Sequence, residues 1–361
     1  MRSNPRPSHG YIQLMIEIDG SQGEGGGQVL RTSLALSIIT GQAFHMNKIR
    51  EHRSKPGLMA QHLKSVDAAA AISKARVEGA KLYSSSLTFS PSEIRSGRYR
   101  FDIGTAGAAT LVLQTILIPL SLAGTASSVI ITGGTHVPWS PCFNYLSLQW
   151  LHYLQQVGFD ARISLDQAGF YPKGGGRINA TIRPAKPISP LRLTQRGSLQ
   201  KIVGISAVAN LPLDIAERQR RQALLRLQKL RWGNSTPNIR IKIENLRSPV
   251  KGTFLLLLAQ FEGGRSCYFA LGKLGKPAER VADEAVDALD SFVETDGVID
   301  QYLVDQLLIP LCISKEESEV RTSIITQHTL TNADIIRTFL PASISINGEP
   351  GQPGSILIKP A

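Results

Sequence analysis

Cysteine is nearly missing from this chain. The three present, Cys142, Cys267 and Cys312, are far apart and odd in number, and none stands in a paired spacing that could build a zinc site or a redox motif. This argues against a disulfide framework and fits a reducing, cytoplasmic setting. Long apolar runs are absent as well. The longest candidate, Leu111 to Leu122, is interrupted by Gln114 and Pro119, so no membrane span is expected. Aromatic residues make up only 6% of the chain and form no aromatic-rich RNA-binding motif, so any grip on a nucleic acid is expected to run through phosphates. Two nucleotide motifs are missing too. The glycine spacing near the amino terminus does not match a dinucleotide fingerprint, and no Gly-Lys-Ser/Thr ending closes a Walker loop.

Acidic residues are the minority charge. Asp plus Glu number 28 against 40 for Lys plus Arg, giving a net charge of +12 and a pI near 9.8. Such an excess suits a polyanionic partner, nucleic acid first, or simply a basic soluble protein. At 361 residues, with 42% hydrophobic and 19% charged, the chain can bury a sizeable core in one large domain or two. Residues 1–14 are rich in Pro, Ser and Arg and lack an apolar signal core. They are expected to be a flexible leader ahead of Met15.

Beyond the leader, Met15 to Asp19 alternates like a strand and runs into Gly20–Gln28, with five glycines in its first eight residues. Such a stretch can point backbone N–H groups at an anion, or simply turn tightly ahead of a close-packed helix. The helix follows at once, from about Val29 to Ile39, with Arg31 in its first turns. Glu24 is unusual inside a glycine nest unless it holds a metal or a cationic partner. Next comes a basic loop, Ile49 to Gly57. It brings Arg50, Arg53 and Lys55 to the mouth of a helix that contains Gln61 and His62, either as a phosphate clamp or as a solvated loop.

The order of elements then recurs. Gly104 to Ala109 opens a helix carrying Gln114, and a β-branched strand ends at Gly133-Gly134-Thr135. A further helix runs to about Gln156, and strands near Ala161 and Arg177 close the unit. A third, shorter copy lies at the carboxyl end. The reading is an α/β fold of α+β type: a main domain of three repeated units over 15–186 and 297–361, each of two helices and a small sheet. Pro184, Pro187 and Pro190 lead into a stretch of 187–296 that breaks the rhythm, an inserted smaller α/β domain. Its basic helix carries Arg218, Arg220, Arg221, Arg226, Lys229 and Arg231, spread around the axis as expected of a solvated face.

Near the end, Thr331 followed by Asp334 reads as a capping-box-like helix start, with Ile336, Phe339 and Leu340 at helical spacing behind it. His328 therefore sits at or just before a helix amino terminus. The positive end of the dipole attracts anions and disfavours the imidazolium, so a neutral ring there is poised to attack phosphorus.

The stretch Gly169-Phe170-Tyr171-Pro172-Lys173-Gly174-Gly175-Gly176 resembles the signature of the RNA 3′-terminal phosphate cyclase family. So do the segments 19–31, 50–57, 133–135 and 302–306 and the His328 segment, in the same order. Two departures stand out: Ala168 where relatives carry a basic residue, and Asn144 near where they tend to carry an acidic one. The resemblance implies a repeated-unit fold with an insert and two substrates, ATP and an RNA bearing a 3′-terminal phosphate. His328 takes AMP from ATP and passes it to the RNA end, where the 2′-hydroxyl displaces it to leave a 2′,3′-cyclic phosphate. By the same resemblance, Glu24 helps hold Mg²⁺ or Mn²⁺, and Arg31, Arg50, Arg53, Lys55 and Gln61 meet phosphates. Gln114, Tyr302, Leu303, Val304, Asp305 and Gln306 form the adenosine pocket. Without the resemblance, 302–306 reads as an ordinary amphipathic helix. The alternatives are a non-catalytic RNA-processing scaffold of the same fold and an enolpyruvyl transferase built on a related repeat.

Overall fold

A computed structural model describes residues 15–232 and 236–360; the leader expected over 1–14 lies outside them. The first sheet collects β1 (Ile16–Asp19), β2 (Phe44–Asn47), β3 (Arg76–Glu78) and β4 (Leu87–Ser90) in the order β1-β2-β4-β3. Helix α1 (Gly27–Thr40) links β1 to β2, and α2 (Ala60–Ser73) links β2 to β3. Continuous burial from Val29 to Leu30 and Thr32 to Ile38 makes α1 a core helix, and Gly41 ends it in the left-handed conformation at φ 73°. The alanine run of α2 supplies helix propensity and a small face for close packing.

The second sheet repeats the connectivity. It holds β5 (Arg98–Asp102), β6 (Ser127–Gly133), β7 (Asp160–Gln167) and β8 (Gly176–Arg183) in the order β5-β6-β8-β7. Helix α3 (Ala109–Ser121) joins β5 to β6. A second helix, made of α4 (Phe143–Tyr145), a π turn at Leu146–Trp150 and α5 (Leu151–Gln156), joins β6 to β7. Gly169 lies in the turn between β7 and β8, where a β-carbon would project to 2.3 Å from the Gly176 nitrogen and 2.4 Å from the Gly133 oxygen. The signature glycine thus permits backbone to lie on backbone at the end of the sheet.

The third sheet starts with β9 (Arg192–Leu193), two residues that fall inside the segment expected as the insert. They pair in parallel with a strand more than a hundred residues later. So short a strand, with no alternation to mark it, is set by its partner and not by its own sequence. The insert's sheet therefore begins later, at β10 (Leu199–Ala209). It continues through α6 (Leu213–Leu227), β11 (Asn238–Asn245), β12 (Gly252–Phe261), β13 (Arg265–Leu271) and α7 (Ala278–Val293), with strand order β11-β10-β12-β13. The chain then returns through α8 (Val304–Cys312), β14 (Ser318–Thr322), α9 (Gln327–Phe339), β15 (Ser343–Asn347) and β16 (Gly354–Lys359). This completes the order β15-β16-β14-β9.

Helix α1 packs on α2, α3 and α9, and α8 on α9, so the helices gather at the centre and the sheets face outward. Their shared core includes Leu34, Val66, Leu113, Leu307 and Ile336. The insert has a core of its own between its sheet and helices α6 and α7. Its other face, with Ile205, Ala207, Phe254, Leu256 and Leu258, joins the main core. Two of the α6 arginines expected to be solvated reach acidic α7 instead: Arg218 lies 3.3 Å from Glu279, and Arg226 lies 2.7 Å from Asp287. The leaving and returning segments of the insert are held together by Arg196, whose guanidinium donates to the carbonyls of Phe292, Val293 and Gly297. The same group lies over the rings of Phe261 and Phe292. Among the described residues, no helix is long and apolar enough to cross a membrane, and all three cysteines are free and buried.

Phe254 on β12 is fully buried and stacks on His136 at 4.6 Å between ring centres, joining insert to body. Phe254→Ala should cost about 3–5 kcal/mol, read as a lower urea midpoint with unchanged slope; a loss under about 1 kcal/mol would contradict this packing.

Candidate active site

Helix α9 starts earlier than its sequence suggests. Thr326, not Thr331, is the cap: its hydroxyl accepts the Thr329 N–H at 3.1 Å. Thr331 lies inside the helix with its hydroxyl donating to the Gln327 carbonyl at 2.8 Å, and Asp334 pairs with Arg337 at 2.6 Å. The short pairing of Ile325 with Pro350 ends just before the cap and fixes where the helix can begin. His328 is thus the second helical residue, within the turn whose N–H groups have no helical partner.

Its side chain is half-exposed, and Nε2 lies 3.3 Å from Glu24 Oε2. The same carboxylate oxygen is reached by Arg53 at 3.4 Å. Three segments remote in sequence therefore meet on one carboxylate. Burial lowers the His328 pKa, and Arg31 and Arg53 act in the same direction against the pull of Glu24. The ring is held neutral at physiological pH.

Glu24 stands in the glycine stretch, where Gly23 and Gly25 take φ values of 59° and 54°, a conformation that turns successive N–H groups to one side. Behind it, Arg31 and His62 crowd onto Gly27, where a β-carbon would project to 2.9 Å from Arg31 Nη1 and 2.3 Å from His62 Nε2. Burial, opposed by Asp305, lowers the Arg31 pKa to about 10, so the guanidinium stays charged at neutral pH. His62 is pushed down to about 3, by burial first and then by Arg31 and Arg50. Its Nδ1 accepts the Met59 N–H at 3.2 Å, which leaves the proton on Nε2. Arg50 spends one nitrogen on the carbonyls of Lys55 and Gly57, at 2.7 and 2.8 Å, closing the basic loop. The Lys55 side chain is exposed. Gln61 ties two helix mouths together, its Oε1 accepting the Ala108 N–H at 3.0 Å.

The expected adenosine residues gather around the start of α8. Gln114 donates to Gln306 Oε1 at 2.6 Å, and Gln306 in turn donates to the Tyr302 carbonyl. Asp305 accepts from Gln28 Nε2 at 2.5 Å. Burial raises its pKa to about 7 although Gln28 and Arg31 both oppose the shift. Tyr302 is 53% exposed, with its ring edge-on to Tyr268 at 6.4 Å. Leu303 and Val304 are fully buried in the core, so neither faces a ligand. That is the ordinary consequence of helical periodicity across 302–306.

Several residues that sequence reasoning left without a role belong to this arrangement. Asn332, one turn after His328, accepts from Thr32 at 2.6 Å and donates to the Asp305 carbonyl at 3.1 Å. Gln28 Oε1 is buried with no partner among the described residues, an unspent acceptor. Buried Asp300 accepts from Tyr145 at 2.7 Å, from Gln149 at 2.8 Å, and from the N–H groups of Tyr302 and Leu303 at 3.1 Å each. It thereby sets the approach of the chain to α8. The adjacency of Gln28 to the glycine stretch and of His62 to Gln61 were visible signals. Nothing local announces Asp300, whose side-chain partners lie some 150 residues away.

The two departures from the family pattern are both accommodated. Asn144 Oδ1 lies 2.8 Å from His136 Nε2. His136 stacks between Phe170 and Phe254, and burial lowers its pKa to about 4. The Thr135 hydroxyl accepts the Gly169 N–H and donates to His136 Nδ1 at 2.8 Å. That places the ring proton on Nε2, facing the amide oxygen. Ala168 is buried, with its N–H on the Arg247 carbonyl at 2.8 Å.

No cluster of three or more His, Cys, Asp or Glu side chains suited to a metal occurs among the described residues. Glu24 offers a carboxylate beside His328. One protein carboxylate fits Mg²⁺ or Mn²⁺ if the remaining positions come from substrate phosphates and water.

Histidine-labelled NMR should find the His62 and His136 rings neutral through pH 5, titrating near 3 and 4. The unfolded rings protonate near 6.5 and the folded ones only far below. Stability should therefore fall as pH drops below 6.5, by up to about 1.4 kcal/mol per pH unit for each ring. Titration of either ring near 6.5 would contradict its burial.

The profile of the RNA 3′-terminal phosphate cyclase family matches residues 22–346. Among curated proteins, the RNA 3′-terminal phosphate cyclase of Gloeothece citriformis is 40% identical, over 93% of this chain and 96% of its own length. That of Koribacter versatilis is 42% identical over 93% and 92%, and that of Archaeoglobus fulgidus 40% identical over 92% and 98%. With nearly its whole length matched in this way, the chain belongs to the RNA 3′-terminal phosphate cyclase family.

Proposed function

We propose that this protein converts an RNA 3′-terminal phosphate to a 2′,3′-cyclic phosphodiester at the expense of ATP, with His328 carrying AMP between the two substrates. The observation that carries the reading is the neutral His328 ring at a helix mouth, with Glu24 and Arg53 meeting beside its Nε2.

In the first step the lone pair of His328 attacks the α-phosphorus of ATP; a P–N bond forms, the bond to the bridging oxygen breaks, and pyrophosphate leaves. Arg31, Arg50 and Arg53 neutralise the departing phosphates. An oxygen of the RNA 3′-phosphate then takes the adenylyl group, freeing the ring. Finally the 2′-hydroxyl, losing its proton, attacks the 3′-phosphorus and expels AMP. A divalent cation held by Glu24 and the triphosphate would supply further charge neutralisation. Gln114, Tyr302, Asp305 and Gln306 supply the stacking surface and the directional hydrogen bonds for adenosine, and the orphaned acceptor of Gln28 adds one more. Three free, buried cysteines support a reducing, cytoplasmic setting. The matching strand orders of three sheets support a three-unit body with an insert, the third unit drawing β9 (Arg192–Leu193) from the stretch 187–296 and leaving the insert's own sheet to begin at Leu199.

Incubation with α-labelled ATP and Mn²⁺ should leave acid-labile, base-stable label on the protein, and His328→Ala should carry none. Label of equal yield in that variant would refute the assignment. The labelling rate should be flat above neutrality, with its acid limb below the ordinary histidine value of 6.5. Because Glu24 holds the His328 pKa up, Glu24→Gln should slow labelling and move that limb to still lower pH. A limb moving upward would contradict the pairing.

A further inference from the structure

The sheets β1-β2-β4-β3, β5-β6-β8-β7 and β15-β16-β14-β9 share one connectivity, yet their outer faces differ in charge. In the first, Glu17 and Asp19 stand on β1, and Arg76 is paired with Glu78 at 2.8 Å. In the third, Arg321 is paired with Asp296, and Lys359 with Glu317 at 3.4 Å. The second is unlike both. Register places Arg98 and Arg100 of β5, Arg177 of β8 and Arg162 of β7 on one side, with Ser128 and Thr181 between them. Arg98, Arg100 and Arg162 are exposed and have no carboxylate partner among the described residues. Arg177 Nε is buried and without a hydrogen bond. A fifth arginine on this face, Arg183, is paired with Asp160 at 3.2 Å. Nearby acids are thus engaged: besides Asp160, Asp102 accepts the Gly104 N–H at 2.9 Å, and Asp166 accepts from Asn179 at 2.6 Å. Folding does not ask for four unpaired arginines here, since the other sheets do without them.

This face runs to the candidate site. Strands β5 and β6 end together in the loops at Gly104–Gly107 and Gly133–Gly134, and the first of these leads to Ala108, whose N–H rests on Gln61. At the same end stand Trp139, 99% exposed, and Tyr171, 70% exposed. Their loops are joined by the N–H groups of Thr135 and His136 on the Gly169 carbonyl, at 2.9 and 3.0 Å. Two solvent-facing aromatic rings beside a flat arginine surface are the elements of a single-strand nucleic-acid platform, rings for unstacked bases and guanidinium groups for phosphates.

We propose that the RNA leading to the 3′ end lies across the outer face of the β5-β6-β8-β7 sheet, its phosphates on Arg98, Arg100 and Arg162 and its bases against Trp139 and Tyr171. This deepens the functional reading above and rests on it for the identity of the strand. From Arg98 to Asp102 the face is about 13 Å long, enough to meet several nucleotides upstream of the reacting end.

The test compares 3′-phosphorylated RNAs of roughly 20 and roughly 2 nucleotides. In the triple variant Arg98→Glu, Arg100→Glu, Arg162→Glu, KM for the long RNA should rise at least about tenfold, and the salt slope of its binding should fall by about 2. KM for the dinucleotide and labelling by ATP should stay as in the parent. Trp139→Ala with Tyr171→Ala should weaken the long RNA by about tenfold with a smaller change in salt slope. Equal loss on both substrates, or no loss on the long one, overturns the proposal, as does loss only of binding to an acidic protein. If the parent takes no label from ATP, the functional reading fails alone. Filter binding of the long RNA to parent and triple variant then still decides the surface: unequal binding supports it and equal binding overturns it.

Discussion

Asn332 is the joint on which the candidate site is built. Its amide takes a hydroxyl hydrogen from Thr32 of α1 and gives one of its own to the Asp305 carbonyl at the start of α8. Because it sits one helical turn beyond His328, this clasp fixes the depth and rotation of the α9 mouth against the glycine stretch. Glu24 is on a loop and Arg53 on another, and the 3.3 Å contact of Glu24 with the ring, beside Arg53 at 3.4 Å from the same carboxylate, could not hold if α9 were free to slide. A buried amide with both ends engaged is costly to break, since either lost partner leaves a polar group stranded.

Around that joint, burial outweighs pairing in setting charge. His62 and His328 are kept neutral, Asp305 is lifted toward neutrality despite a neighbouring guanidinium, and Arg31 keeps its charge only because its ordinary value is so high. Before any substrate arrives the guanidinium groups of Arg31, Arg50 and Arg53 thus outnumber the carboxyl groups of Glu24 and Asp305. Such a pocket is short of anions, and a triphosphate supplies what it lacks.

The sequence announced what local pattern can announce. The glycine stretch, the basic loop and the His328 helix were legible from spacing, and most strands and helices fell where periodicity put them. The alanine run of α2 and the β-branched core of β6 needed no tertiary information. Other features are decided by contacts that no local pattern records. The cap moved from Thr331 to Thr326 because a bridge from Ile325 to Pro350 ends there. Strand β9 exists only through its partner. Asp300 gathers side-chain donors from Tyr145 and Gln149, on a distant helix, and looks in sequence like any aspartate ahead of a helix. The outward arginines of the second sheet are spread over β5, β7 and β8, so a linear reading sees isolated basic residues where the folded molecule has a surface.

Arg196 shows how the third unit accommodates its long interruption. It bonds carbonyls on the returning segment while sitting on the leaving one, so the chain departs and re-enters at a single stitched point. To the crossover from β9 through α8 to β14 the detour is geometrically no more than a tight loop, and the parallel pairing of the two strands survives it. An architecture stapled shut at such a neck can change what hangs beyond it, in size or in sequence, without renegotiating the packing beneath.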